Sequence, residues 1–315
     1  MSENIKNIKP SNSGALHNTM KEKDMKSVNT TARVMKVVSL VLTYAFLIFM
    51  AIVIIFPFYW MLISSVKDIN EYNETIPTLW PRHFHFDNYA KALDAADLTV
   101  VFGNTVCVGI VSTLLSLVIT VLSAFAFARL EFKGKDAMFA ALLGTMMIPG
   151  ELFTITNYQT VTSFGWTNTD QWGFTVLIVP FLVSIFYIYL LRQNFLQIPN
   201  ELYLAAKVDG TSDLKYLWKV MIPLALPTLI SITILKMMGA WNTYVWPNLV
   251  IEDDNYLLVT NGIRGGDYSV PGSAEMVNYP VQMAAVALVS LPLFMVFLFL
   301  RKYIMKGVSR SGIKG

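Results

Sequence analysis

The chain has 315 residues, 55% of them hydrophobic and 14% charged, with a formal net charge of +3 and a mean hydropathy of +0.52. Soluble domains carry about 25% charged residues, so the composition excludes a water-soluble enzyme, and so small a net charge argues against nucleic-acid binding. A single cysteine, Cys107, excludes an intrachain disulfide or a thiolate cluster, and lipid is the solvent that fits such a chain.

Residues 1–36 are polar and rich in Lys, Asn, Ser and Thr. They have no short apolar core followed by a small-residue cleavage site, and read as a disordered tail without a signal peptide. A helix needs about 20 mainly apolar residues to cross the hydrocarbon core. Six blocks meet that demand: Val37 to Val66, Val101 to Ala128, Ala137 to Tyr158, Gly173 to Leu191, Leu224 to Trp246 and Val281 to Leu300. Pro57, Pro149, Pro180, Pro227 and Pro292 lie within or near them, so kinks are expected where neighbouring helices satisfy the freed carbonyls. The expected fold is all-α and polytopic: one membrane domain over residues 37–300, with a second short tail at 301–315.

Basic loops stay on the cytoplasmic side of a membrane. Lys and Arg concentrate in the N-terminal tail, in the loop bearing Arg129, Lys133 and Lys135, in the segment from Arg192 to Lys219, and in the last tail from Arg301 onward. The remaining loops hold only Lys67, Arg82, Lys91 and Arg264, and two are acidic, through Asp68, Glu71, Glu74 and Asp87 in one and Glu252, Asp253 and Asp254 in the other. Both termini therefore belong in the cytoplasm. Trp60, Trp80, Trp172 and Trp246 fall near outer helix ends, where an indole is half buried with its N–H wet.

The segment over residues 192–223 is too long for a connector. Pro199 and Asn200 start a helix over Glu201 to Val208, Asp209-Gly210 stops it, and Thr211, Ser212 and Asp213 cap a second helix with Leu214, Leu217, Trp218 and Met221 as its apolar stripe until Pro223. Small Ala205 and Ala206 permit close approach of another chain. Spacing alone leaves two readings open, a docking knob for a partner or an interfacial amphipathic hairpin.

Ala205-Ala206-Lys207-Val208-Asp209-Gly210, followed by Ile222-Pro223-Leu224 and Pro227, resembles the EAA loop of ABC importer permeases. Its place between the fourth and fifth spans is similar to that in the MalG-like permeases of carbohydrate importers. So are Trp241-Asn242-Thr243-Tyr244-Val245-Trp246-Pro247 and the ending from Lys306-Gly307-Val308 to Gly312-Ile313-Lys314-Gly315. The resemblance implies a type I ABC importer permease fold, a sugar or oligosaccharide as solute, a second permease subunit, a cytoplasmic ATPase dimer holding ATP and Mg, and an extracytoplasmic solute-binding protein. It implies that Glu201, Ala205, Ala206, Asp209, Gly210 and Pro223 couple to the ATPase, and that Gly312, Lys314 and Gly315 reach towards it. One departure stands out. The family's usual Glu before the two alanines is Leu204 here, with Glu201 three residues earlier and almost one helical turn away.

Lys236 is the charged residue deepest in an expected span, where an ammonium costs about 2.5 to 3.5 kcal/mol on insertion scales. Either it lines the path and attracts an anionic group, or it snorkels or binds a carbonyl of a neighbouring helix. Asn242, about 120° round the helix from it, is either path lining or interhelical glue. Trp241 and Tyr244 divide between stacking on sugar and marking the interface. There is no GxxxxGK[ST] stretch to hold ATP phosphates, so the chain itself is not an ATPase and binds no cofactor. There is no HExxH, and His17, His83 and His85 are too few and too scattered for a buried metal site. An ion-gradient secondary transporter is the main alternative, and it would bury acidic residues that these spans lack. A permease for a sugar phosphate or uronate, and a membrane component of a sensor or enzyme complex, are the others.

Overall fold

The computed structural model describes residues 13–167, 172–270 and 272–309, and the chain divides into two units, Met1–Trp60 and Met61–Gly315. The described part of the first unit belongs to helix α1, which runs Ser13–Ser65 with Pro57 inside it. Its stretch from Met35 to Ser65 has 31 residues, with none of its apolar window buried. At 1.5 Å per residue that exceeds a hydrocarbon core of about 30 Å. Exposed Leu42, Phe46 and Ile54 give it a surface that only an apolar environment tolerates.

In the second unit, a polar knot closes the chain after α1. Short α2 (Ile69–Tyr72) starts beyond Asp68, whose side chain accepts from Asn70 N–H, and α3 (Asp87–Ala95) follows. Buried Glu71 accepts from the Thr78 hydroxyl at 2.7 Å and from Arg82 N–H, while Asn88 Nδ2 donates to Ser65 O and Lys67 O. Lys67 donates to Thr78 O, and burial holds its ammonium below the ordinary lysine value against the opposing pull of Glu71 and Glu74.

Helix α4 (Leu98–Arg129) is the central post. The third expected block is not one helix. It divides into α5 (Lys135–Thr145) and α6 (Leu152–Ser163), each too short to cross alone, because Pro149-Gly150 interrupts the ladder and turn bonds such as Ile148 N–H to Thr145 O take over. The fourth block bends. Helix α7 (Gly173–Ile178) passes through a 3₁₀ turn at Val179–Phe181 and gives way at Ser184 to α8 (Ile185–Leu196), 46° off line. Gly173 opens α7 because the Tyr256 ring lies within 2.5 Å of where a Cβ would sit.

Next come α9 (Asn200–Val208) and α10 (Asp213–Tyr216), then a π turn at Leu217–Met221 that leads into α11 (Ile222–Trp241). The second helix expected in the segment 192–223 is thus continuous with the span after it. The extra residue of the π turn gives Pro223 room where its ring would otherwise meet the carbonyl one turn back. The fifth block stops early, at Trp241, and restarts as α12 (Val245–Val250). A 3₁₀ turn (Asp254–Tyr256), α13 (Val259–Gly265) and an antiparallel hairpin of β1 (Ser269–Val270) and β2 (Ser273–Val277) lead to α14 (Tyr279–Ser309). Tyr268, buried beside the hairpin, has its phenol pushed up to about 12 by that burial.

Among the described residues, four helical stretches are long and apolar enough to cross a membrane, and the bent α7–α8 pair makes a fifth if it is one span. At the α9 end of the unit, Phe125, Leu191, Phe195, Tyr216, Leu217 and Met221 form one core cluster. At the other end, α3, α4, α11, α13 and α14 share a second, around Leu98, Trp241, Val259 and Ala284.

Two arginines tie α4 to α8 reciprocally. Buried Arg129, in the last turn of α4, donates through Nη2 to Phe195 O at 2.9 Å and Ile198 O at 2.6 Å, where α8 ends. Arg192 Nε donates to Phe127 O at 3.0 Å, where α4 ends, and its guanidinium lies 4.0 Å from the centre of the Phe139 ring. Each cation thus meets carbonyls at the C-terminal end of the other helix, where its dipole is negative, and Phe195 O accepts from Ile198 N–H as well. Arg129→Met is expected to lose about 2 to 3 kcal/mol, the scale of hydrogen bonds to a charged group, with Arg129→Lys recovering part. Thermal unfolding of the detergent-solubilised protein reads this, and equal midpoints for wild type and Arg129→Met would show that the clamp contributes nothing.

Candidate functional site

A cavity of about 330 Å³ lies where α4, α7, α8, α11 and α12 meet, and helix breaks shape it. The 3₁₀ turn and the bend at Ser184 separate α7 from α8, and Asn242 to Tyr244 separate α11 from α12. Hydroxyls line it from three sides: Ser112 from α4, Ser184 and Tyr187 from the start of α8, and Thr243 from the second break. The Phe181 and Trp246 rings meet edge to face at 5.3 Å to form an aromatic wall, and Trp246 is held by its N–H to Val176 O at 3.0 Å. Lys236 enters from α11, and its Nζ donates to Phe181 O at 2.6 Å. The 3₁₀ turn supplies that carbonyl.

The second break is braced from α13. Thr260 Oγ1 donates to Thr243 O, and Asn261 Nδ2 to Tyr244 O at 3.3 Å. Of the residues expected along a path, Lys236 lines the cavity, and three others lie elsewhere. Trp241 is buried against Phe102, with ring centres 5.6 Å apart. Asn242 turns back to Met238 O of its own helix at 2.8 Å. Tyr244 has the Arg264 guanidinium 4.6 Å from its ring centre. Sequence reasoning missed Ser112, Ser184, Tyr187 and Thr243. Ser184 carried a usable signal, a capping serine four residues after Pro180 in an apolar run; Thr243 lay within the Trp241 to Pro247 stretch without being singled out, and Ser112 and Tyr187 carried none.

The second feature is the α9 hairpin. Helix α9 ends in a Schellman arrangement: Thr211 N–H donates to Ala206 O at 2.8 Å and Gly210 N–H to Lys207 O at 3.0 Å, with Gly210 at φ 69°. Lys207 pairs with Asp213 at 2.7 Å, which raises Lys207 above its ordinary value, and the Tyr203 hydroxyl donates to the same carboxylate at 2.8 Å. Tyr203 and Ala206 pack inward on the core cluster. Glu201, Leu204, Ala205, Val208, Asp209 and Gly210 are exposed, Val208 at 89%. Of the expected stripe, Leu217 and Met221 are buried, whereas Leu214 and Trp218, one turn apart on the opposite face, are exposed. Pro223 is exposed at the start of α11. The hairpin is therefore rigid on its inner side and apolar on its outer side, a form suited to entering a cleft. Gly312, Lys314 and Gly315 lie outside the described residues.

Comparison with known proteins agrees with this architecture. The family model described as "Binding-protein-dependent transport system inner membrane component" matches residues 25–310. A probable ABC transporter permease protein of Mycoplasma genitalium is 29% identical, over 89% of this chain and 90% of its own. The arabinooligosaccharides transport system permease protein AraQ of Halalkalibacterium halodurans is 28% identical, over 89% of this chain and 98% of its own. A crystal structure of a bacterial ABC transporter involved in the import of the acidic polysaccharide alginate has a chain that superposes with a TM-score of 0.75 at 22% identity, covering 84% of this chain and 95% of that one. The chain thus belongs to the family of binding-protein-dependent transport system inner membrane components, as a multi-pass permease subunit of a bacterial ABC importer whose ATP hydrolysis belongs to a partner subunit.

Proposed function

We propose that this permease crosses the inner membrane six times with both termini in the cytoplasm, and that it forms half of the path for a sugar or oligosaccharide. A second permease subunit completes the path, an extracytoplasmic solute-binding protein delivers the solute, and a cytoplasmic ATPase dimer that binds ATP and Mg drives the cycle. The name of the Halalkalibacterium relative supports a carbohydrate. So does the cavity, whose hydroxyls and aromatic wall offer what a polyol with an apolar ring face needs.

The observation that carries the coupling role is the outward apolar face of a helix that cannot bend at its base. Leu204, Ala205 and Val208 are exposed on α9, while Tyr203, Ala206 and the Lys207–Asp213 pair fix it inward. A cleft in the ATPase closing on this knob moves α9, and α9 passes the movement on by two covalent routes. Ile198, held by Arg129, leads back into α8, and the π turn leads forward into α11. With Leu204 where the family has a carboxylate, the contact relies on packing, and Glu201 on the same exposed surface is the acidic group left to meet a basic residue. The ending Gly312, Lys314 and Gly315 would make a further contact with the ATPase. The fifth crossing is the bent α7–α8 pair, and the sixth is α5 with α6, re-entering helically on either side of Pro149-Gly150.

Two measurements test this. With Cys107 replaced by Ser, single cysteines introduced at Lys133 and at Asp253 should label only from the cytoplasmic side and only from the outer side of intact cells, respectively, and labelling of both from one side would sink the six-crossing arrangement. In the second, Gly210→Pro places a ring that demands negative φ where φ is 69° and removes the N–H bound to Lys207 O. The ATPase should co-purify with the wild-type permease pair and be lost at least about tenfold with Gly210→Pro, a change of about 1.4 kcal/mol or more in docking. Retention of the ATPase at wild-type level would remove the hairpin from the interface.

A further inference from the structure

Among the described residues, the cavity has a cation and no anion in its lining. Lys236 lines it, and among the described residues its ammonium makes one hydrogen bond, to Phe181 O, and no ion pair. A lysine head group has three N–H donors, and a charge held in a site of low dielectric is costly unless it is paired. A permease that needed only to fill this position could place a neutral side chain there. The carbonyl that Lys236 does meet is available because the 3₁₀ turn at Val179–Phe181 breaks the span beside it. It is a neutral partner that a carboxylate would outcompete at the same distance, since an ionised acceptor roughly doubles the strength of the bond.

Around the ammonium are groups suited to the rest of a sugar. Ser184, Tyr187 and Thr243 line the same cavity and bring hydroxyl groups to it, and the Trp246 ring forms one wall with its N–H already committed to Val176 O. That ring presents an apolar face to the cavity and leaves polar recognition to the hydroxyls. A volume of about 330 Å³ is at the lower end of the range for small-molecule sites, about 300 to 1,000 Å³. From these features we infer that this subunit's half of the path recognises an acidic saccharide of the uronate class, whose carboxylate takes Lys236 Nζ from Phe181 O. The inference rests on the importer reading above and specifies its solute.

The charge balance separates a uronate from a sugar phosphate. One carboxylate neutralises one ammonium, whereas a phosphate ester carries about −1.5 to −2 at neutral pH and would leave an unpaired negative charge in a cavity whose lining, among the described residues, has no second Lys or Arg. Displacing the Phe181 carbonyl also touches the bend between α7 and α8, so a bound carboxylate acts at the broken part of a span.

The test uses the intact transporter, both permease subunits with the ATPase, in lipid nanodiscs and without the solute-binding protein, so that selectivity is that of the membrane part. Binding of radiolabelled galacturonate is measured with neutral galactose and glucose 6-phosphate as competitors, for wild type, Lys236→Met and Lys236→Arg. Galacturonate should bind wild type at least about tenfold more tightly than galactose competes, the weight of a charge-assisted hydrogen bond. Lys236→Met should abolish that preference and Lys236→Arg preserve it, with the ATPase co-purifying in each variant as the check on folding. Equal binding of galactose, a preference that survives Lys236→Met, or tighter competition by glucose 6-phosphate overturns the uronate assignment and leaves an ATP-coupled importer intact. Loss of the ATPase from the wild-type complex would instead overturn the importer reading.

Discussion

Inside a bilayer no water is present to satisfy a peptide group, so each place where a helix stops must find donors and acceptors within the protein. This permease breaks its helices repeatedly, and the whole arrangement follows from how the breaks are repaired. At Pro149-Gly150 the repair is local, through backbone turn bonds. Elsewhere a side chain from another element contributes: Lys236 for Phe181 O, Thr260 and Asn261 for the carbonyls of Thr243 and Tyr244, and Arg129 for those of Phe195 and Ile198, with Tyr244 O and Phe195 O also accepting from the backbone N–H groups of Asn248 and Ile198. The repairs are cross-links between helices. They convert local weak points into the contacts that fix α8, α11 and α13 relative to one another, and the functional features of the chain sit beside them.

The reciprocal pair of Arg129 and Arg192 shows what such a repair adds. A connector tied to the membrane domain by its covalent ends alone would absorb a push from a partner by bending. Ile198 precedes α9 by two residues, and with its carbonyl held at 2.6 Å by a buried guanidinium of α4 the base of the hairpin cannot drift. On the far side, the buried side chains of Tyr216, Leu217 and Met221 join the hairpin to the same core cluster as Phe125 and Leu191. A force on exposed Val208 therefore reaches the ends of α4, α8 and α11 together. Load is carried by packed elements with few degrees of freedom, the physical requirement for coupling over a distance.

Much of this was legible in the sequence because membrane helices announce themselves by length and apolarity. The blocks beginning near Val37, Val101, Leu224 and Val281 each correspond to a long helix. The turn at Asp209-Gly210 was legible for a different reason, since few residues other than Gly adopt positive φ at a helix end. Less was legible where one chain position has two physically acceptable outcomes. Proline is tolerated in membrane helices, so Pro57 and Pro227 lie inside continuous helices while Pro149, followed by Gly150, ends one. Trp246 has the side chain of an interface marker, yet it is buried and bonded to Val176 O because α12 begins just before it. The hydroxyls of Ser112 and Tyr187 were indistinguishable in the sequence from those of side chains such as Ser290, which bonds Val286 O of its own helix.

The position of Lys236 joins these themes. A lysine in a span is tolerated by insertion only at a cost, and a carbonyl freed by a helix break is tolerated only with a donor. Here each meets the other's need, which accounts for the pairing of Lys236 with Phe181 O. It does not account for the choice of lysine, because a neutral donor such as a serine, threonine or glutamine would satisfy the same carbonyl at a lower cost of insertion. The positive charge is the feature that the repair leaves unexplained. A charge retained at a cavity wall against its desolvation penalty is best understood by what enters the cavity, so a break in a helix, a donor to mend it and a charge to attract solute come together in one side chain.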